Sequence, residues 1–257
     1  MKITLPDNSL RELPEGSSGY DLAKDIGPGL AKSAIAVTID GVQRDLHDAI
    51  EADASVSIIT IDSDEGVEIM RHTLTAQVLA RAIKNLYPKS KLAIGPTVQD
   101  GFYYDVESDE SISSDDLSKI EEEMKKIIKT KSAITKKLVS KKEALKIFKS
   151  NKEPYKEIII NESDQDDNFQ LYYQDDEEFV DLCRGPHLPN LGFIGSFKLT
   201  KVSGAYWKGD SKNSMLTRIY GTAFSNDKDL QNHLDNIEEA LKRDHRKLGK
   251  EMDLFHF

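Results

Sequence analysis

The chain's single cysteine and one of its six histidines stand four residues apart in Cys183-Arg184-Gly185-Pro186-His187, a Gly-Pro turn directly after the strand-like run Glu178-Phe179-Val180-Asp181-Leu182. A thiol and an imidazole held that way can share a proton, a water or a metal ion. Asp181 alternates with apolar Val180 and Leu182, so it takes the opposite face of a strand, from which a carboxylate can orient a histidine; the plain alternative is an exposed strand carboxylate. A second imidazole, His72, lies near the start of a long helical segment, followed within two turns by Thr73, Thr75 and Gln77. If that helix end covers the Cys183–His187 turn, the result is a cleft with a thiol, two imidazoles, an amide and hydroxyls. A lone helical histidine is more often an ordinary surface or core side chain. Cys-x-x-x-His supplies two ligands where a zinc site needs three or four, so His72, Cys183 and His187 make at most a weak metal site.

Other segments carry chemistry against a plainer background. Phe102, Tyr103 and Tyr104 alternate across a strand, and only one face of it can line a pocket. Lys156 sits in a polar segment, where a lysine is ordinarily solvated. The stretch from Lys198 to Asp210 interleaves Lys198, Lys201 and Lys208 with Tyr206 and Trp207, a mixture that suits single-stranded nucleic acid because cations hold phosphates while rings stack on bases. For Trp207 alone, packing in a β-hairpin is the simpler account. The charged cluster Arg243-Asp244-His245-Arg246-Lys247 reads as a solvated helix face.

Several elements must position these groups. Residues 1–62 alternate as strand, strand, helix, strand, strand: Lys2 to Leu5, Leu10 to Leu13, a helix from Tyr20 to Ile26 capped by Ser17 or Ser18, then Ala34 to Ile39, Val42 to Asp45 and Val56 to Ile61. That order in so few residues implies a small ubiquitin-like β-grasp sheet. Asp62 to Gly66, acidic and Gly-terminated, reads as a linker. From Val67 the period becomes helical, with Ile69, Met70, Leu74, Val78, Leu79, Ala82 and Ile83 on one face up to Tyr87-Pro88. Strands follow at Lys91 to Gly95 and Gly101 to Val106, then helices from Asp115 to Lys129 and Lys141 to Lys149. Strands at Leu171 to Tyr173, Glu178 to Leu182, Phe197 to Thr200, Gly204 to Trp207 and Met215 to Thr222 complete an α+β unit with helices packed on an antiparallel sheet. A charged helix closes the chain from Asp227. The implied divisions are 1–62, 63–226 and a linker helix over 227–257.

At 257 residues the chain suits two domains. No apolar run approaches the length needed to cross a bilayer, the first residues lack a secretion signal, and one cysteine excludes an internal disulfide framework. These features imply a cytoplasmic protein. The net charge of −10 argues against indiscriminate nucleic-acid binding, yet residues 184–257 hold 12 Lys/Arg against 9 Asp/Glu, while residues 1–62 hold 5 against 11. A polyanion would bind toward the carboxyl-terminal third.

The ordered strings Ala93-Ile94-Gly95-Pro96, Asp100-Gly101-Phe102-Tyr103-Tyr104-Asp105, Val180 through His187, Gly204-Ala205-Tyr206-Trp207-Lys208-Gly209-Asp210, Arg218-Ile219-Tyr220-Gly221-Thr222-Ala223 and Arg243 through Gly249 together resemble the amino-terminal half of bacterial-type threonyl-tRNA synthetases. The resemblance covers essentially the whole chain. It implies a ubiquitin-like domain called TGS, followed by an editing domain shared with alanyl-tRNA synthetases that hydrolyses serine wrongly attached to threonine tRNA. Editing is needed because a synthesis site cannot fully reject a smaller isosteric substrate. The resemblance places Cys183, His187, His72, Gln77 and Asp181 among the catalytic groups. It sets Tyr104 and Lys156 beside them, with Lys156 near the terminal adenosine; Thr73, Arg184, Lys198, Lys201 and Trp207 are the further candidates for contact with substrate or tRNA. It implies no DNA or membrane partner and no cofactor for this chain, zinc standing as the exception; the family's ATP and zinc belong to an aminoacylation domain that would begin about where the chain stops, at Phe257.

This chain departs from the family pattern at the first long helix. The family usually carries His-x-x-x-His after an arginine; here Arg71-His72 is followed by Thr-Leu-Thr-Ala-Gln, so Gln77 takes the second histidine's place, and a glutamine cannot act as a base near neutral pH. The segment is also one residue longer. Counting back from Ala82-Ile83-Lys84 puts Thr73 at the first histidine's place, so His72 serves only if the helix start shifts. Three readings follow: an editing hydrolase, a non-catalytic tRNA-binding module or inert synthetase fragment, and a zinc-dependent hydrolase using His72, Cys183 and His187.

Overall fold

A computed structural model describes residues 1–175 and 179–242. The cluster at 243–247, His256, Glu178 and the remainder of the linker helix expected over 227–257 lie outside the described residues. In the first 60 residues, β1 (Lys2–Thr4) and β2 (Leu10–Glu12) pair antiparallel, with Ile3 opposite Arg11. Helix α1 (Gly19–Ile26) starts at Ser18, whose hydroxyl accepts from the Asp21 N–H while the Asp21 carboxylate accepts from the Ser18 N–H at 2.9 Å, a reciprocal cap. Gly27-Pro28-Gly29 does more than end this helix: Pro28 opens α2 (Pro28–Ser33), where its fixed φ fits a first turn. Then β3 (Ala34–Ile39) and β4 (Val42–Asp45) form a hairpin through Asp40-Gly41, both at positive φ, the conformation that Asp-Gly favours in two-residue turns. With β5 (Ala54–Thr60) the sheet runs β2-β1-β5-β3-β4, β1 and β5 being parallel. One face buries Ile3, Leu22, Val37, Ile50 and Val56.

The stretch read as a linker is largely helix. Ser63 caps α3 (Asp64–Thr73), its hydroxyl accepting from the Gly66 N–H at 3.0 Å. Gly66 lies against the end of β5, where a Cβ would come within 2.0 Å of the Thr60 carbonyl oxygen; the glycine gives close approach rather than slack. Across this junction Ile35, Ala36 and Ile59 of the small sheet share one core with Ile69, Met70 and Leu74.

Helix α3 continues through a π-helical segment, Leu74–Leu79, into α4 (Ala80–Leu86), which ends before Pro88. Next come β6 (Lys91–Leu92), β7 (Thr97–Val98) and β8 (Gly101–Glu107). Ser113 caps the turn into α5 (Leu117–Lys129), whose Leu117, Ile120, Met124 and Ile127 are buried at helical spacing. After β9 (Ile134–Val139) and α6 (Lys141–Ser150), a proline-initiated α7 (Pro154–Glu162) leads to β10 (Phe169–Gln174) and β11 (Val180–Leu182). Then β12 (Ser196–Tyr206), β13 (Met215–Phe224) and α8 (Asp227–Lys242) follow.

The α+β class holds, with the strands of this larger unit divided between two antiparallel sheets: β11-β10-β9, and β12-β13-β8-β6 with β7 beside β8. The two short strands expected over 197–200 and 204–207 are one long strand, β12, whose register shifts between Leu199 and Lys201. Phe102, Val106, Leu199 and Ile219 from the five-stranded sheet join Val78, Leu79, Ile83 and the inner face of α5 in the main core. No helix among the described residues is long and apolar enough to cross a membrane.

Candidate active site

Side chains from both sheets, α7 and the end of α3 line a cavity of about 950 Å³. Such a volume lies within the range that takes a small molecule. At one wall, His72 Nε2 lies 2.9 Å from Cys183 Sγ, and the ring of His72 stacks on His187 with centroids 4.6 Å apart. One ligating atom each from His72, Cys183 and His187 falls within 4.8 Å of the others. The His72 ring also hydrogen-bonds the Pro186 carbonyl. With Nε2 on sulfur, that bond falls to Nδ1–H, so Nε2 carries a lone pair and the thiol is the donor. Burial holds the His72 imidazole below its ordinary value, against the Pro186 carbonyl and Asp181; at neutral pH it is an uncharged base.

His187 is buried and tightly held. Thr73 Oγ1 donates to the Ile69 carbonyl, accepts from the Leu188 N–H at 3.0 Å and lies 3.1 Å from His187 Nδ1. The hydroxyl's one proton is used on Ile69, so Nδ1 donates and Nε2 keeps its lone pair. His187 Nε2 is buried without a partner among the described residues. On its other side the Tyr172 ring meets it edge-on at 4.4 Å. The turn between Cys183 and His187 can form because Gly185 takes φ +63° and leaves room for the Tyr172 hydroxyl, which would lie 2.0 Å from a Cβ there.

Lys156, expected to be solvated, is instead buried on α7 and pairs with the equally buried Asp181 at 2.5 Å. Asp181 also accepts from the Leu182 N–H at 2.8 Å. Its partner is therefore a lysine, where the sequence suggested a histidine or solvent. Burial pushes the Asp181 carboxyl up, and Lys156 opposes it. Tyr104 lines the same cavity; its ring lies 5.9 Å from Lys156 Nζ and its buried hydroxyl has no partner among the described residues. Gly95 opposite admits that ring, since a Cβ there would fall 2.2 Å from Tyr104 Cδ2. Exposed Arg184 borders the opening.

Other candidates lie elsewhere. Gln77 is fully buried and lines no part of this cavity, where its neighbour Ala76 contributes to the wall instead; its side-chain nitrogen has no partner among the described residues, and its backbone carbonyl accepts from Gln174 Nε2 at 2.7 Å. Lys198 pairs with Glu121 at 3.0 Å. Lys201 lies over the Tyr220 ring at 4.4 Å. Trp207 is buried against Tyr155, with centroids 4.8 Å apart, as the simpler account had it. Sequence reasoning passed over Tyr172, for which the only signal was its place in a strand next to the one carrying Asp181.

A model of the TGS domain matches residues 1–60, and a model of the threonyl and alanyl tRNA synthetase second additional domain matches residues 170–220. A threonine--tRNA ligase from Prochlorococcus marinus (strain MIT 9211) is 48% identical over 254 residues, which make up 99% of this chain and 39% of that protein. The chain thus spans well under half the length of this curated relative. Both domain matches fall inside a near-complete likeness: over almost its whole length the chain is similar to part of a threonine--tRNA ligase, and it carries one match to the TGS domain and one to the threonyl and alanyl tRNA synthetase second additional domain.

Proposed function

We propose that the cavity hydrolyses the ester between an amino acid and the terminal ribose of tRNA, removing serine from threonine tRNA. Residues 63–226 would act as the editing unit beside a TGS-like unit at 1–62. The observation that supports this most is the uncharged His72 facing the Cys183 thiol on a cavity that also holds the buried Lys156–Asp181 pair. In this reading a water hydrogen-bonded at His72 Nε2 and Cys183 attacks the ester carbon as its proton moves to the imidazole. The bond from that carbon to the ribose oxygen then breaks, and the proton passes to the leaving oxygen. Lys156 supplies positive charge toward the oxyanion that develops, and Tyr104 offers a hydroxyl with no competing protein partner. Serine and threonine differ by one methyl group, a difference that binding alone discriminates weakly.

The experiment is hydrolysis of seryl-tRNA(Thr), with threonyl-tRNA(Thr) as control and Cys183→Ala, His72→Ala and His187→Ala variants alongside. Selective release of serine that the variants lose supports the reading. Binding of the tRNA with no release leaves a tRNA-binding module.

The His72, Cys183 and His187 group favours a second reading, a zinc hydrolase in which three protein ligands leave one position open for water. The ion would supply an acidified water, and the orphaned His187 Nε2 suits it as a ligand. The spacing fits less well: two ligands on one tetrahedral zinc put nitrogen and sulfur about 3.5 Å apart, from bond lengths of about 2.0–2.3 Å. Here His72 Nε2 and Cys183 Sγ stand 2.9 Å apart, a hydrogen-bonding distance. Metal content after purification without added zinc separates the readings, a stoichiometric ion favouring the second.

A further inference from the structure

The Cys183–His187 turn is fastened from outside its own unit. Asp45, the last residue of β4 in the small amino-terminal sheet, accepts from the His187 backbone N–H through Oδ1 at 2.8 Å. Its Oδ2 accepts from the Tyr172 hydroxyl at 2.8 Å, the same tyrosine whose ring meets His187 edge-on. Lys136, on β9, pairs with Asp45 at 2.8 Å and with Asp48 at 2.5 Å. These bonds join positions between 88 and 142 residues apart in sequence. Asp45 is largely covered, its side chain 15% exposed, so water competes weakly for its oxygens. The shared core of Ile35, Ala36 and Ile59 with Ile69 and Met70 holds the two units at fixed distance behind it.

We propose that Asp45 is a positioning residue for the hydrolytic site: it sets the backbone of His187 and the plane of its ring from the amino-terminal sheet, so that the site is complete only when that sheet is docked. The inference rests on the hydrolytic reading above. Pro186 fixes its own φ in the Cys-x-x-x-His turn, but the acceptor of the His187 N–H comes from outside the turn, at Asp45. Two bonds from one carboxylate, one to the backbone of His187 and one to the tyrosine beside its ring, remove the freedom that remains. Loss of the carboxylate would leave a buried N–H unpaired and let the ring swing about its contact with Thr73. The His187 ring stacks on His72 at 4.6 Å, so its displacement shifts the base at the cavity wall, which costs turnover more than binding.

The test uses the full chain with Asp45→Ala, Asp45→Asn and Lys136→Met. Asp45→Ala should lower kcat for serine release about tenfold or more while KM for the charged tRNA stays within about twofold. Asp45→Asn, which keeps an acceptor oxygen for His187, should recover most of the loss. Lys136→Met removes the ion pair and leaves the N–H bond, so it should melt lower and keep its kcat. In parallel, the backbone amide of His187, followed in chain labelled with 15N-histidine, should exchange with deuterium oxide faster in Asp45→Ala and stay protected in the other two. Equal kcat losses in Lys136→Met and Asp45→Ala, or an amide still protected in Asp45→Ala, would overturn the proposal. If the unaltered chain releases no serine, the hydrolytic reading falls by itself, and the amide measurement still decides whether Asp45 fixes the turn. Should Asp45→Ala not fold, Asp45→Leu, which has a similar volume and no acceptor, takes its place: a kcat equal to that of Lys136→Met, or a His187 amide still protected, refutes the role.

Discussion

Replacing Lys156 by methionine tests the electrostatics of the cavity most directly. The side chains of Lys156 and Asp181 are only 4% and 3% exposed and meet at 2.5 Å, so water screens neither. Removing one member of a buried pair leaves a buried charge uncompensated, which costs about 3–5 kcal/mol. For a chain of this size each kcal/mol lowers the melting temperature by about 2–4 °C, so Lys156→Met should melt about 6–20 °C lower near neutral pH. The deficit must depend on pH. Burial already raises the Asp181 carboxyl, and without Lys156 the opposing pull is gone. A carboxyl raised in the folded state gives up stability as pH climbs through its folded value and regains it toward its unfolded value near 3.9. Scanning calorimetry at pH 5 and pH 8 should therefore show the larger deficit at pH 8. The double variant Lys156→Met with Asp181→Leu, which puts apolar groups in place of both charges, should recover most of the melting temperature. A deficit under about 3 °C, or one equal at both pH values, would refute the account of a desolvated pair.

Tyr104→Phe deletes a buried hydroxyl that has no protein partner, so thermal melting should leave stability unchanged or raise it by up to about 1 kcal/mol, while the KM for charged tRNA rises if that hydroxyl meets the substrate. Gly95→Ala drives a methyl group into the Tyr104 ring; it should cost about 1–3 kcal/mol by chemical denaturation and slow serine release by narrowing the cavity. Because burial holds His72 below the ordinary histidine value, the rate of serine release should stay level from pH 8 down through about 6.5 and fall only below it, once the imidazole takes a proton. Gln77→Leu removes a buried amide that lines no part of the cavity, so serine release measured beside the unaltered chain should stay within about twofold.

Local chemistry wrote much of the fold into the sequence. Ser18, Ser113 and Ser140 mark helix starts, and each side chain accepts a first-turn N–H; Ser63 does the same inside the stretch read as a linker. The apolar stripe of α5 was legible from Leu117, Ile120, Met124 and Ile127 for the same reason: one face at a period of 3.6 has to be buried. Helix α7 was not legible. Its Ile158, Ile159 and Ile160 run consecutively, and burial of Tyr155, Lys156 and Ile160 leaves no clean stripe. That is why Lys156 read as solvated; its burial depends on Asp181, a residue 25 positions later on another strand. The turn carrying Cys183 and His187 announced itself by composition, whereas the side chains that hold it, Thr73, Tyr172 and Asp45, come from three elements whose meeting no spacing could show.

The resemblance implies one extra residue in the first long helix, and a π turn is the geometry that takes one up without surrendering a face. Counted back from Ala82, Thr73 falls where a histidine is expected, which in a uniform α-helix would turn His72 away by about 100°. The π-helical turn at Leu74–Leu79 takes up that residue: the Ala80 N–H reaches back five positions to the Thr75 carbonyl. Downstream, Val78, Leu79 and Ile83 keep their apolar face in the core. Upstream, both contested residues find a place at the site, His72 against Cys183 at 2.9 Å and Thr73 against His187 at 3.1 Å. Gln77, counted as the second histidine's substitute, ends up inside the packing, and its carbonyl is met by Gln174 from β10. A π turn inside an α-helix is rare and is found disproportionately at functional sites. Here its effect is concrete, since it lets a hydroxyl and an imidazole on consecutive residues engage the two ends of one Cys-x-x-x-His turn.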